Sequence, residues 1–421
     1  MRNKISKITA RQILDSRGNP TIEATVITEN GVCGTAAVPS GASVGKFEAV
    51  ELRDGNKEYF KGKSILKAVQ NVNECICKIL TGKDVFDQFE IDKIMIDEDG
   101  SENKSNFGAN AILSVSLACA RAAAKSADMP LFRYIGGINA NVMPVPMINI
   151  INGGVHADNE LDFQEFMIVP IGFHSFSDAI RCAHDIFHTL KDILHEEGFT
   201  TAVGDEGGFA PELECNEDAI KTLISAIEKA GYDTNKVKIA IDAASSEFYE
   251  DGFYNLSGEE LVLNSEQMCE YLYNFVSKYP IISIEDGMAE EDMFGWKMLT
   301  ERMQDKIMLV GDDLMVTNTK RIKNCIEQNI ANSVLIKPNQ TGTLSETLSA
   351  VKTAKDFGYN TIISHRSGET ADTFIADLAV GLNAGFIKTG SLSRSERLEK
   401  YNRLLKIENI LKNNATFSSD F

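Results

Sequence analysis

The chain is 421 residues long, past the size at which a single hydrophobic core keeps growing, so two domains or one large barrel with an addition are expected. Its 43% hydrophobic and 24% charged residues are ordinary globular usage and exclude a largely disordered chain. A formal net charge of −19 argues against nucleic acid as a primary partner, because phosphate-backbone binding needs clustered Lys and Arg, and it requires any anionic substrate to be held by a local cationic pocket.

The N-terminus, MRNKISKITARQILDSRGNP, has neither a continuous apolar stretch nor a small-residue cleavage site. No later run approaches the roughly 20 apolar residues of a membrane span. A cytoplasmic protein without a membrane partner is expected. Thr21 to Thr28 alternates like a strand, whereas Gly62 to Leu80 and Ala109 to Lys125 carry apolar residues at helical spacing, so the first third reads as an α+β unit. The texture changes in GGINANVMPV, between Gly136 and Val145.

Beyond it, short apolar runs recur, each ending in polar residues and followed by a helical pattern. They are VPMINIING from Val145, DFQEFMIVP from Asp162, KIAIDAAS from Lys238, IISIEDG from Ile281, IMLVGDD from Ile307, SVLIKPNQ from Ser333, NTIISHRSG from Asn360 and GFIKTGS from Gly385. From Ile281 on, the starts are separated by 26, 26, 27 and 25 residues, the spacing of successive strand-plus-crossover-helix units in a parallel sheet. Eight such units close a barrel, which we favour over an open doubly wound sheet. The cysteines, among them Cys33, Cys75, Cys77, Cys119, Cys182 and Cys325, form no CxxC pair and read as reduced thiols.

Run after run places its ionisable residue at the C-terminal end, where a barrel presents its active site: Asp242, Glu285, Asp312, Lys337, His365 with Arg366, and Lys388. Asp242, Glu285 and Asp312 are hard oxygen ligands on separate rigid strands, the donor set that suits Mg²⁺. The competing reading of the same carboxylates is a cluster satisfied by the lysines of the following strands. Asp286 and Asp313 are equally acidic, and spacing does not separate them from the set. Lys337, Arg366 and Lys388 facing such a metal define a pocket for a small, highly charged anion. Two nearby lysines and a divalent ion also depress an ammonium pKa, which a lysine base requires. Pro338 biases Lys337 toward extended backbone. The loop GDEGG, Gly204 to Gly208, sets Asp205 and Glu206 among glycines and by itself reads as a tight acidic turn.

Longer motifs run nearly end to end: DSRGNPT from Asp15, PSGAS from Pro39, NKSNFGANAILSVSLA from Asn103, and NGG, HADN and QEFM between Asn152 and Met167. VGDEGG, SSEF, SIEDG, VGDDL with VTN, LIKPNQ, SHRSGET and IKTGSLSRSER follow. In content and order they resemble the enolase family. The resemblance implies a smaller α+β N-terminal domain (1–135) with a mobile active-site loop, followed by a TIM-like α/β barrel (143–421). It implies reversible dehydration of 2-phosphoglycerate to phosphoenolpyruvate in glycolysis and gluconeogenesis, with Lys337 as the base at C2 and Glu206 as the acid assisting departure of the C3 hydroxyl. Asp242, Glu285 and Asp312 would hold one Mg²⁺, and Ser43 would help hold a second that arrives with substrate. His156, Gln164, Glu165, His365, Arg366, Ser367 and Lys388 would line the substrate site. The family also implies a homodimer or a larger ring of dimers. Enolase-superfamily sites are a standard example of a Lys or His base working with one or two Mg²⁺ ions. The chain departs from the family pattern at Val44 and Thr341, where Thr and Ile are usual, and in its tail NNATFSSDF. These departures near the site keep open a paralogue acting on a related phosphonate or carboxylate, and a second, non-catalytic role for the fold.

Overall fold

A computed structural model describes residues 3–42, 45–157 and 159–417. Strands β1 (Ile5–Leu14), β2 (Pro20–Thr28) and β3 (Cys33–Ala37) form an antiparallel sheet in that order. Along β2, Ile22, Ala24 and Val26 are buried while Glu23 and Thr25 are only partly so, the period-two pattern of a sheet with one face on a core. That core is helix α1 (Ala109–Ser126), ANAILSVSLACARAAAKS, whose small residues let the sheet approach its backbone. Gly34 on β3 marks the closest point: a Cβ there would lie 2.2 Å from the Ala118 carbonyl oxygen and 2.3 Å from the Ala122 nitrogen. The helical stretch expected over Gly62 to Leu80 begins at Leu66 and contains a π-helical segment, Asn71–Ile76. From that widened turn Asn73 donates to and accepts from the backbone of Ala10 on β1.

The eight later runs close into one barrel. Its strands are β4 (Val145–Asn152), β5 (Glu165–Pro170), β6 (Val237–Asp242), β7 (Ile281–Glu285), β8 (Met308–Gly311), β9 (Ser333–Ile336), β10 (Asn360–Ser364) and β11 (Phe386–Lys388). They close in the order β7-β8-β9-β10-β11-β4-β5-β6. The expectation of eight parallel strand-helix units needs correction, because β5 pairs antiparallel with both β4 and β6. Among the described residues between Asn152 and Glu165 there is a single turn, Gly154–His156, and no crossover helix, and the chain returns in the opposite direction. Two helices in succession, Phe176–Glu196 and Asn216–Lys229, then carry it to β6. The reversal turns the start of β5 toward the face where the other strands end.

Among the described residues no helix is long and apolar enough to cross a membrane. All eight cysteines are free. Gly34→Ala is expected to force β3 away from α1 and destabilise the protein by about 1–3 kcal/mol through overpacking. Denaturant titration against the wild type checks this, and an unchanged midpoint would contradict the close approach.

Candidate active site

Alternation along the barrel strands explains why the polar groups converge. The interior holds Met147, Met167, Ala240, Val310, Leu335, Ile362 and Phe386 as one buried cluster. Two residues further toward the same rim, on the same face of each strand, stand Asn149, Glu165, Asp242, Asp312, Lys337, Ser364 and Lys388. On β5 the step runs backward, from Met167 to Glu165, because that strand is reversed. Register then sets neighbours side by side: Glu165 opposite Asp242, and Asp242 opposite Glu285.

Lys388 binds this row together. Its ammonium lies 2.8 Å from Asp242 Oδ2, 2.8 Å from Glu285 Oε2 and 3.2 Å from Glu165 Oε2. Burial opposes its charge, but Asp242, Glu165 and Glu285 outweigh that and raise its pKa well above the usual lysine value. Lys337 donates to Asp312 Oδ2, and Gln340 Nε2 donates to Asp312 Oδ1 at 3.0 Å. Among the protein's own groups, burial pushes the Lys337 pKa down, yet the adjacent Asp312 carboxylate outweighs it and holds it above the usual value. Lys337 itself is extended, with φ −122° and ψ 105°, ahead of Pro338 at the first position of a short helix.

Glu206 approaches from the loop between the two helices that follow β5. Gly204 N donates to Gly208 O and Gly207 N to Gly204 O, a tight turn that glycine permits, with Gly207 at φ +89°. A Cβ at Gly208 would lie 2.0 Å from Asn152 Oδ1, so glycine there lets the loop lie against β4. Asn149 Nδ2 donates to Glu206 Oε2 at 3.1 Å, and His365 Nε2 faces the same oxygen at 3.3 Å. His156 Nδ1 stands 3.6 Å from Glu165 Oε1 and 4.0 Å from Glu206 Oε1. Burial followed by the charge of Glu206 pushes the Glu165 carboxyl well above the usual range. Burial also pushes Glu206 upward, but His365 and His156 override it and hold Glu206 well below. The two carboxyls are thus pushed in opposite directions, Glu165 toward the protonated form and Glu206 toward the anion.

The N-terminal unit closes over the same rim. Arg366 forms a bidentate pair with Glu48, at 2.9 and 3.1 Å, and Glu48 Oε1 also accepts from Gly45 N. Ser40 and Gly368 exchange both backbone hydrogen bonds, and Ala42 N donates to Ser367 Oγ at 2.7 Å. Arg17, from the DSRGNPT turn, donates to the Gly41 carbonyl. Ser43 and Val44, in the segment these contacts flank, lie outside the described residues.

One cavity is lined by Glu206 and Lys337, by His156, Gln164, Glu165, His365, Arg366, Ser367 and Lys388, and by Asp242 and Asp312. Glu285 is not part of its lining, its carboxylate being taken up by Lys388. Thr341 is also outside it, with its hydroxyl turned to Pro338 O and Thr347 Oγ1. Among the described residues, the sets whose ligand atoms come within 4.8 Å of one another are His156, Glu165 and Glu206, and Asp286, Asp312 and Asp313. Asp242, Glu285 and Asp312 are spread more widely, since Lys388 stands between the first two and Lys337 holds the third.

The residues nevertheless fit a divalent cation. Glu165, Asp242, Glu285 and Asp312 present four carboxylates to two ammonium groups, and Glu285 Oε1 is buried without a hydrogen-bond partner. Burial and Asp242 drive the Glu285 carboxyl well above the usual range, the mark of a site short of positive charge. Beside them Asp286 accepts the backbone N–H groups of Asp312 and Asp313, which orients the loop. Burial and the charge of Asp312 push Asp313 up to about 7.

Sequence reasoning missed Asn149, Glu48, Gln340 and Arg397. Asn149 had a signal, as a polar break inside the apolar run from Val145. Arg397 lies in the quoted SRSER motif but had no role there. Glu48 had none, since its partner Arg366 is 318 positions away.

Two family models cover nearly the whole chain. Residues 5–135 match the one described as enolase, N-terminal domain, and residues 140–420 the one described as enolase, C-terminal TIM barrel domain.

The His365 imidazole offers a check on these electrostatics. Burial, opposed by Glu206 and reinforced by Arg397, pushes its pKa from 6.5 down to about 4. The unfolded chain thus takes up this proton near 6.5 and the folded protein only near 4. Its stabilising share is intact above pH 6.5 and is lost as pH falls toward 4, by about 1.4 kcal/mol per pH unit within that window. His365→Asn is expected to flatten the fall in stability between pH 6.5 and 4.5 in denaturant titrations. An unchanged slope would show that His365 does not titrate this way.

Proposed function

The chain belongs to the enolase family, whose domains mark a hydro-lyase of the enolase superfamily, and on that premise we propose that it reversibly dehydrates 2-phosphoglycerate to phosphoenolpyruvate, in glycolysis and gluconeogenesis. The observation that carries this reading is the order of charges around one buried rim. Carboxylates stand on four successive strands, β5 to β8, and cations on the next three, β9 to β11. A small substrate bearing a phosphate and a carboxylate needs both a cationic wall and groups to move two protons.

Lys337 is assigned as the base at C2. Burial, Arg366 and Lys388 press it to give up its proton, against the opposing charges of Asp312 and Glu285. Engagement of the Asp312 carboxylate by another partner would release that hold. Glu206 is assigned as the acid for the C3 hydroxyl. Its support is the raised pKa of neighbouring Glu165, which favours a proton there, with His156 within 4.0 Å of both carboxylates as a path between them. The loop bearing Glu206 lies against β4, three places from β9 in the ring of eight, so base and acid would work from different sides of the cavity.

Asp242, Glu285 and Asp312 would hold Mg²⁺, which when bound supplies positive charge beside the substrate carboxylate and so eases loss of the weakly acidic α proton. A second ion entering with substrate is assigned to the loop bearing Ser43. His156, Gln164, Arg366, Ser367 and Lys388 are assigned to hold the substrate anions, with His365 beside the acid. Family membership is the support for a homodimer or larger homo-oligomer, for a cytoplasmic location and for the division at 1–135 and 143–421.

A chelator is expected to abolish formation of phosphoenolpyruvate, followed by its absorbance, while circular dichroism shows an intact fold; added Mg²⁺ restores it. Negligible turnover of 2-phosphoglycerate with Mg²⁺ present would sink the assignment in favour of a paralogous substrate. The half-reactions separate the two residues. Lys337→Ala should abolish both exchange of the C2 proton with deuterated water and product formation. Glu206→Gln should lower product formation by about 10²–10⁴-fold yet keep measurable exchange. Exchange that survives in the Lys337 variant would overturn the base.

A further inference from the structure

We propose that Arg397 is a positioning residue for His365, fixing which ring nitrogen carries the proton and so aiming an N–H at Glu206. The catalytic consequence rests on the reading of Glu206 as the acid; the geometry does not.

Arg397 belongs to the helix Ser395–Leu411 and is fully buried. Its Nη1 lies 2.5 Å from His365 Nδ1 and 2.6 Å from the Arg366 carbonyl. Its Nη2 reaches the Ser367 carbonyl at 2.6 Å and the Asp205 carbonyl at 3.2 Å. A guanidinium offers only N–H donors and does not lose its proton, so the nitrogen it meets must present a lone pair. His365 is therefore neutral, accepts at Nδ1 and carries its hydrogen on Nε2. That Nε2 is the atom 3.3 Å from Glu206 Oε2, buried and without another hydrogen-bond partner, although the contact itself does not meet hydrogen-bond geometry. An imidazolium, or the other tautomer, would set N–H against N–H at the Arg397 contact. Burial and the Arg397 charge both favour the neutral ring.

The same guanidinium ties down the two segments that carry the pair. Asp205 precedes Glu206 and Arg366 follows His365, so one buried cation registers acid and imidazole against each other. Room for its stem is kept by Gly390, at φ +79°, where a Cβ would lie 2.8 Å from Arg397 Cδ. Such support of a functional group through its neighbour typically sets rates by roughly ten- to a hundredfold.

The test is nitrogen NMR of the full-length protein labelled at histidine, with the His365 signals identified by their loss in His365→Asn. In the wild type, Nδ1 should appear unprotonated and Nε2 protonated at neutral pH; a protonated Nδ1 overturns the proposal. Arg397→Met keeps the length of the stem without its donors and should move the proton to Nδ1 or charge the ring. It should also lower kcat by roughly ten- to a hundredfold with KM little changed. Arg397→Lys, which retains a cationic donor group on one nitrogen, should keep the Nε2–H form and most of the rate. If Arg397→Met folds and still shows the Nε2–H tautomer, the residue is only a staple and the proposal fails. If it does not fold, the wild-type and Arg397→Lys spectra decide. A shifted tautomer supports the proposal even where the wild type proves inactive on 2-phosphoglycerate, a result that would count against the functional reading alone.

Discussion

Lys388, buried at the end of β11, touches carboxylates from β5, β6 and β7. Removing so many charges from water costs several kcal/mol each unless partners repay it, and breaking a buried pair leaves an uncompensated charge behind. The rim can hold Glu165, Asp242 and Glu285 together only because this ammonium stands among them. Its single positive charge still leaves the row short, and the strain surfaces as raised carboxyl pKa values at Glu165 and Glu285. A rim of this kind is poised to accept positive charge, and that incompleteness is the physical basis for reading it as a functional centre.

The reversed strand β5 is part of the same arrangement. Were it parallel, its C-terminal end, at Pro170, would face the rim and Glu165 would lie at the bottom of the barrel. Antiparallel pairing brings Glu165 level with Asp242, and the short link before it leaves His156 and Gln164 at the rim as well. The N-terminal unit contributes in a different way, through Glu48 and the backbone of residues 40–42. Those contacts neutralise Arg366 and join a loop of the small sheet to the loop after β10, so the fit of one unit on the other and the charge balance of the cavity are coupled.

Around Glu206 the chemistry is one of proton placement. Glu165 and Glu206 stand within reach of one imidazole, and burial prevents both from being ionised without cost. Asn149 donates to Glu206 and the His365 ring faces it, and these surroundings hold the Glu206 carboxyl down while burial and the Glu206 charge push Glu165 up. Lys337 and Asp312 are a second such couple on the other side of the cavity, with the proton on the amine.

Much of this was legible in the sequence because its causes are local. Two-residue alternation marks the apolar layer of each strand and the polar position beyond it, so Asp242, Asp312, Lys337 and Lys388 could be placed at strand ends from their own runs, and the roughly constant repeat spacing announced a barrel. Roles for His156, Gln164, Glu206 and Ser367 came from resemblance alone, since no spacing rule singles them out. Tertiary structure decided the rest. The direction of β5 follows from a link without a crossover helix. Glu48 meets Arg366, and Arg397 meets His365, only once the barrel has closed and the N-terminal unit has docked. The charge balance at Lys337 has the same origin: periodicity tells which face a residue occupies, whereas its pKa depends on which charges, brought from distant strands, end up beside it out of water.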